Sequence, residues 1–336
     1  SIIILFFSLF IIFGLSQRKN NQSSKDYFVG KETLPWSVAM FSIVATETSV
    51  LTFVSVPGKA FQGEWFFLQL AMGFILGRVL VSIFLLPSFF ENEVTSIYEV
   101  LGLRFGERIQ RFASLLFLIT RVLADGIRFL ATAIIVQSIT GWPLLVSVLL
   151  IGVVTSVYTL SGGIRTIVWI DSLQFILYLS GGVISIIFML SHFQEPVLNV
   201  FAGLISEGKL QIFQFGWDLK KPYLFFNAII GGMLLSFASH GADHMMVQRV
   251  LSTKNLSNAR KAMIGSGIFA FLQFFIFLVI GSLLHLFFQN MDITQFDAVF
   301  MNADQSSIRQ DRVFSLFIVQ FLPAGLRGLL LAGVLS

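Results

Sequence analysis

The sequence has no cysteine and little charge: 336 residues hold 22 Lys or Arg and 18 Asp or Glu, 12% together. The first absence excludes a disulfide framework and a thiolate metal site. The second excludes an ordinary soluble domain, where about a quarter of residues are charged. There is no Walker sequence, no nucleophile elbow and no soluble region to hold a nucleotide, so phosphate-loop and triad chemistry find no support. No acid–base or nucleophile constellation stands out, and an enzyme is not expected. What is there is apolar: 56% hydrophobic residues, 39 of all residues being Phe, with a mean hydropathy of +0.85. A pI near 9.4 invites a nucleic-acid reading, but the basic residues gather on no one face. They lie between apolar runs, as in the loops of a membrane protein. The expected partner is the lipid bilayer, not nucleic acid; no feature fixes the oligomeric state.

At about 20 apolar residues per crossing, nine segments read as spans: 1–16 (partial), 36–57, 65–90, 112–139, 143–160, 167–190, 223–247, 262–288 and 313–336. They are too long and uniformly apolar for the alternating strands of a β-barrel, so the expected class is an all-α integral membrane protein. Twelve loop Lys and Arg residues, from Arg18 to Lys261, fall in one set of alternate loops and six in the other. The richer set marks the cytoplasmic side, placing Trp36 inside, the loops 191–222 and 289–312 outside, and the chain in the cytoplasmic membrane with many passes. Ser1 lies within one apolar run and Ser336 within another, so both ends are expected to be cuts. Gln17-Arg18-Lys19 lacks the cleavage site of a signal peptide. Gly73 and Gly77 are spaced for close helix approach, as are the pairs Gly181-Gly182 and Gly231-Gly232.

The span 36–57 is anomalous. Its middle, Ser42 to Ser49, holds five polar residues in eight, Glu47 among them, and four β-branched ones. Polar groups are costly at mid-membrane and are usually kept there for function, and β-branching weakens the helix. A span that is polar and prone to unwind at mid-depth suits a substrate or ion site. Arg121, Asp125 and Arg128 share a face of the span 112–139, where Asp125 reaches either arginine. The arrangement reads as a compensated structural network or as a spare guanidinium that holds an anionic group. Ser236, Ser239, His240 and Asp243 share a face of the span 223–247. His240, Asp243 and His244 suggest zinc, but no further ligand is evident. Gln248-Arg249 reads as an interfacial anchor. Asp171 reads as an N-terminal helix acid, and Gly162-Gly163 as a tight turn.

Several phrases follow one another in order: Asp26-Tyr27-Phe28-Val29-Gly30, Leu34-Pro35-Trp36, Ser161-Gly162-Gly163-Ile164-Arg165, Val168-Trp169-Ile170-Asp171, Ala238 to His244, and Leu322-Pro323-Ala324-Gly325-Leu326-Arg327-Gly328. Over nearly the whole chain this resembles the sodium:solute symporter family, which includes sodium/glucose, sodium/proline, pantothenate and sialic acid transporters. The resemblance implies the five-plus-five inverted-repeat (LeuT-like) transporter fold, here C-terminally truncated. Residues 1–35 would be a leading span and loop, 36–191 the first repeat, and 221–336 an incomplete second one. Such repeats place discontinuous helices near the membrane midplane.

It further implies that the carbonyls of Ala45 and Thr48 bind sodium, that Glu47, Leu51 and Thr52 face the solute with Ser236, Ser239 and His240, and that Asp171 lies on the sodium exit route. The hydroxyl residues that complete the family's sodium site would fall beyond Ser336. Glu47 stands where sugar transporters have an amide, and Ser239 where they have an aromatic gate; both depart from a sugar-type site. The expected activity is sodium-coupled symport of a small polar or anionic organic solute by alternating access. The alternative is a symporter-like membrane sensor module of a signalling protein.

Overall fold

The anomalous span breaks where its polar residues lie. In the computed structural model, α1 (Trp36–Glu47) ends at Thr48, whose backbone is extended (φ −79°, ψ 104°), and α2 (Val50–Phe61) follows. The structure describes residues 34–289 and 308–334 apart from 49, 64, 93, 95 and 141, together with 8, 9, 12, 13, 16, 291 and 301. The side chains of 50, 51, 54, 135, 138–140, 158, 161, 162, 329 and 331–334 lie outside that description. The predicted first span is therefore almost wholly outside it.

After the break come α3 (Phe67–Leu80), a π-helical turn (Val81–Leu85) and α4 (Leu86–Glu91), one continuous run. Pro87, with no N–H to donate, sits where regular helix resumes and the widened turn ends. Next are α5 (Ile97–Phe105), capped by Ser96 and ended by Gly106 at φ 89°, and α6 (Glu107–Thr140). The helical segment α7 (Leu144–His192) is two arms joined at Gly163, where φ is 62°. Only glycine adopts that backbone without strain, so the predicted turn between the spans 143–160 and 167–190 is present. Then follow α8 (Val197–Ser206), α9 (Phe225–Ala242), α10 (His244–Leu251), α11 (Leu256–Gln289), a 3₁₀ turn (Gln310–Arg312), α12 (Val313–Gln320) and α13 (Ala324–Val334).

The predicted span 223–247 is interrupted: Asp243 is extended (φ −83°, ψ 116°) between α9 and α10, its carboxylate capping α10 through the Met245 N–H. The span predicted over 313–336 breaks between α12 and α13, at Pro323. No strand occurs among the described residues, only isolated bridges from Leu34 to Thr253 and from Met301 to Ile308. Four described helices are long and apolar enough to cross a membrane: Phe67–Glu91, Gly163–His192, Phe225–Ala242 and Leu256–Gln289.

The central helix is α11, packed against α1, α2, α3 and α7. Much of the Phe content is spent here: Phe53 meets Phe314 at 4.7 Å between ring centroids, and Tyr178 meets Phe277 at 4.8 Å. Lipid tails are as apolar as these side chains, so cohesion comes from packing contact and not from escape from water. Against α9, α3 approaches so closely that a Cβ on Gly73 would stand 2.4 Å from the Ile229 carbonyl oxygen and one on Gly77 2.4 Å from that of Met233. Gly232 returns the contact, its absent Cβ 2.3 Å from the Leu70 oxygen. The glycine spacing is thus a packing device that fixes α3 on α9 beside the break at Asp243.

Candidate functional site

Three polar clusters hang on the two broken helices. At the first break the helical ladder ends on Val44, whose carbonyl accepts from the Thr48 N–H at 2.9 Å. The last carbonyls of any helix lack intrahelical partners, which leaves oxygen ligands of the kind a hard cation prefers. Thr48 Oγ1 lies 2.8 Å from the Val44 carbonyl and 2.9 Å from Gln273 Oε1 on α11. A hydroxyl has one proton and donates to one of them at a time. Gln273 continues to the Tyr178 hydroxyl at 3.4 Å, so the break is tied to α7 and α11 by side chains.

Glu47, the last residue of α1, forms an ion pair with Arg78 on α3. Arg78 is fully buried, and its second amine donates to Ser266 Oγ on α11 at 2.7 Å. His240 on α9 completes the cluster, its Nε2 3.9 Å from Glu47 Oε2. Its Nδ1 lies 2.9 Å from Ser239 Oγ and 3.4 Å from Ser236 Oγ. The structure therefore brings together Glu47, Ser236, Ser239 and His240 as expected, and adds Arg78, which sequence reading passed over. The signal was available: an arginine in the middle of the apolar span 65–90 is an intramembrane charge and marks a site by default. Both Arg78 Nε and His240 Nε2 are buried without a hydrogen-bond partner among the described residues. Groups so placed either cost stability or wait for a polar ligand. Thr52, in α2, is half-buried across the break; the side chain of Leu51 lies outside the described residues.

The second cluster joins three elements. Asp171 Oδ2, on α7, accepts from Ser42 Oγ at 2.8 Å and from Arg249 on α10 at 2.8 Å, and lies 3.4 Å from Thr46 Oγ1, which donates to the Ser42 carbonyl at 2.8 Å. Arg249 also donates to Ser42 Oγ at 2.8 Å and to the Met245 carbonyl at 2.6 Å. Arg249 is thus buried, 3% exposed, and not the interfacial anchor expected. It is spent neutralising Asp171. Asp171 lies two turns past the kink at Gly163, too deep for the helix-terminal role expected of it, and cross-links α1, α7 and α10 instead.

The third cluster sits at the Asp243 break. Asp125 pairs with Arg121 at 2.7 Å, and Arg121 reaches Asp243 at 3.2 Å. The expected bridge of Asp125 to either arginine is therefore one-sided, and the second carboxylate comes from another helix. Among the described residues Arg128 has no ion pair. Asp243, as helix cap and arginine partner, is not free for zinc, and the described residues contain no group of three metal-ligating side chains. On α5, outside the spans, burial and the Asp243 carboxylate push the Tyr98 hydroxyl up to about 12. It stays protonated, its oxygen 3.4 Å from the Ala242 carbonyl.

Comparison with known proteins bears on the family and the fold. The model of the sodium:solute symporter family matches residues 27–336. The chain is 26% identical over 328 residues to the sodium/sialic acid symporter NanT of Aliivibrio fischeri, which covers 96% of this chain and 62% of that protein. It is 27% identical over 249 residues to the human sodium/iodide cotransporter, 74% of this chain and 38% of that one. A solved structure of a Na+-coupled sialic acid symporter in a substrate-bound outward-open state superposes with a TM-score of 0.87 at 25% identity, over 99% of this chain and 69% of its own. The chain spans 38 to 62% of the length of the two relatives. These neighbours are transporters and not enzymes, and the architecture is their inverted-repeat fold.

Proposed function

The chain belongs to the sodium:solute symporter family, and from that premise we propose that it serves sodium-coupled symport of a small anionic organic solute. The observation that carries the reading is the break at Thr48, which frees helix-end carbonyls beside a charged, buried cluster. In this reading the carbonyls of Ala45 and Thr48 hold sodium. Glu47, Leu51, Thr52, Ser236, Ser239 and His240 face the solute, with Arg78 holding the Glu47 carboxylate in place. A second break at Asp243 supports repeats over 36–191 and from 221 onward, each opening on a discontinuous helix. The two relatives are named for sialic acid and iodide, both anionic, which favours an anion over a neutral sugar, and Arg128, without an ion pair among the described residues, is a candidate to hold it.

In this reading Asp171, bonded to Ser42 and close to Thr46 on α1, lies beside the sodium carbonyls toward the side where basic loop residues concentrate. That side is the cytoplasmic face of the cytoplasmic membrane in this reading. Sodium leaving Thr48 inward meets the Asp171 carboxylate, and the path opens only when Arg249 parts from it. Because each ligand raises the other's affinity by the same factor, the test is reciprocal binding. Sodium chloride, but not potassium or choline chloride, should raise the thermal midpoint of the detergent-purified full-length protein. Anionic solutes from a panel of sialic acids and monocarboxylates should raise it further in sodium alone. Equal stabilisation in all three salts would overturn the sodium reading.

A further inference from the structure

Away from both breaks, a groove of about 650 Å³ runs beside the first half of α11, lined among others by Trp36, Ser257, Arg260, Lys261, Ile264 and Ile268. Its wall changes character along the helix. Ser257, Arg260 and Lys261 come first, and Ile264 and Ile268 lie one and two turns deeper, with Ile268 half exposed at 52%. Trp36 belongs to α1, which crosses α11 so closely that the Met40 sulfur stands 2.6 Å from where a Cβ on Gly265 would be. Among the described residues the lining contains no acidic side chain. Among the described residues neither Arg260 nor Lys261 forms an ion pair. Arg260 is nevertheless held: its Nε donates to the Ser82 carbonyl in the π-helical turn at 3.0 Å. That bond fixes the guanidinium while using only one of its five donors.

Two cations without an ion pair among the described residues, in line with an apolar wall, match an amphiphile and not a small soluble anion, which would leave Ile264 and Ile268 unused. An indole is at home at headgroup level, and basic grooves between spans on the cytoplasmic side suit anionic headgroups. We infer that this groove binds one anionic phospholipid from the leaflet on the basic-loop side. The phosphate lies between Arg260 and Lys261, Trp36 lies beside the glycerol region, and an acyl chain follows Ile264 and Ile268. The site shares no residue with the sodium and solute reading and stands whether or not that reading holds.

The test uses the delipidated full-length protein in detergent, with bound lipid counted by native mass spectrometry. Phosphatidylglycerol, phosphatidylcholine with the same acyl chains, and inorganic phosphate are titrated separately. Phosphatidylglycerol should bind at least about tenfold more tightly than phosphatidylcholine, the order of effect two interfacial cations produce. Inorganic phosphate should not displace it at equal concentration. Lys261→Gln should cost roughly fivefold, and Arg260→Gln with Lys261→Gln roughly tenfold or more, while Lys261→Arg keeps the preference. If loss of the Ser82 bond disturbs folding in the double variant, Lys261→Gln alone still decides, since no described hydrogen bond uses that side chain. Equal binding of the two lipids, displacement by free phosphate, or an unchanged Lys261→Gln variant would each overturn the assignment.

Discussion

Arg78 is the side chain with most to lose. It is fully buried, and its charge is met by one carboxylate, that of Glu47. Removing one partner of a buried pair strands the other and costs about 3 kcal/mol or more. Glu47→Gln should therefore destabilise strongly, because it leaves Arg78 unmatched. Glu47→Gln combined with Arg78→Met should recover part of the loss, and that non-additivity is read from thermal midpoints of the four proteins. Additive losses would show that the two do not act as a pair. Asp171 and Arg249 pose the same problem on the other side of α1, with a difference in use. Arg249 has Ser42 and the Met245 carbonyl besides Asp171, so Asp171→Asn should retain the fold. It should speed opening on that side, measured as faster labelling of a cysteine placed at Ser42 in this cysteine-free chain. Slower or unchanged labelling would remove Asp171 from the latch.

Between elements, the closest contact is α3 on α9. A side chain at Gly73 meets backbone, which cannot step aside, so Gly73→Val should cost about 1–3 kcal/mol or more. On the open face of the same helix pair, nothing lies within 4 Å of a Cβ at Gly231, and Gly231→Ala should be neutral or stabilising by up to about 1 kcal/mol. Thermal midpoints of the two variants check the pair of expectations. Asp243 separates two roles in the same way. Asp243→Asn keeps an acceptor for the Met245 N–H but drops the charge facing Arg121, while Asp243→Ala loses both and should cost about 1 kcal/mol more. These elements differ in how much the residues announced them. The break at Thr48 was legible because polar and β-branched residues crowd the middle of a span. The break at Asp243 was not, since the stretch Ser239 to His244 has a helical face of its own and its turn is set by a carboxylate that serves as a cap. The pairings of Asp171 with Arg249 and of Arg121 with Asp243 join residues 78 and 122 positions apart. Local spacing cannot reveal contacts that only tertiary packing creates.

Across the whole molecule, the charged clusters lie where discontinuous helices meet the rest of the bundle. The first break is tied by Gln273 to α11, the second by Arg121 to α6, and the middle of α1 by Asp171 to α7 and α10. A ligand that orders the first break thus acts on helices that also hold the other clusters, which is the physical requirement for coupling two fluxes. The most direct measurement is uptake by the full-length protein in proteoliposomes, using radiolabelled sialic acids and monocarboxylates under an imposed sodium gradient. Sodium coupling predicts concentrative uptake of an anionic solute that stops when potassium replaces sodium or when a sodium ionophore collapses the gradient. Uptake that proceeds equally without sodium would contradict it.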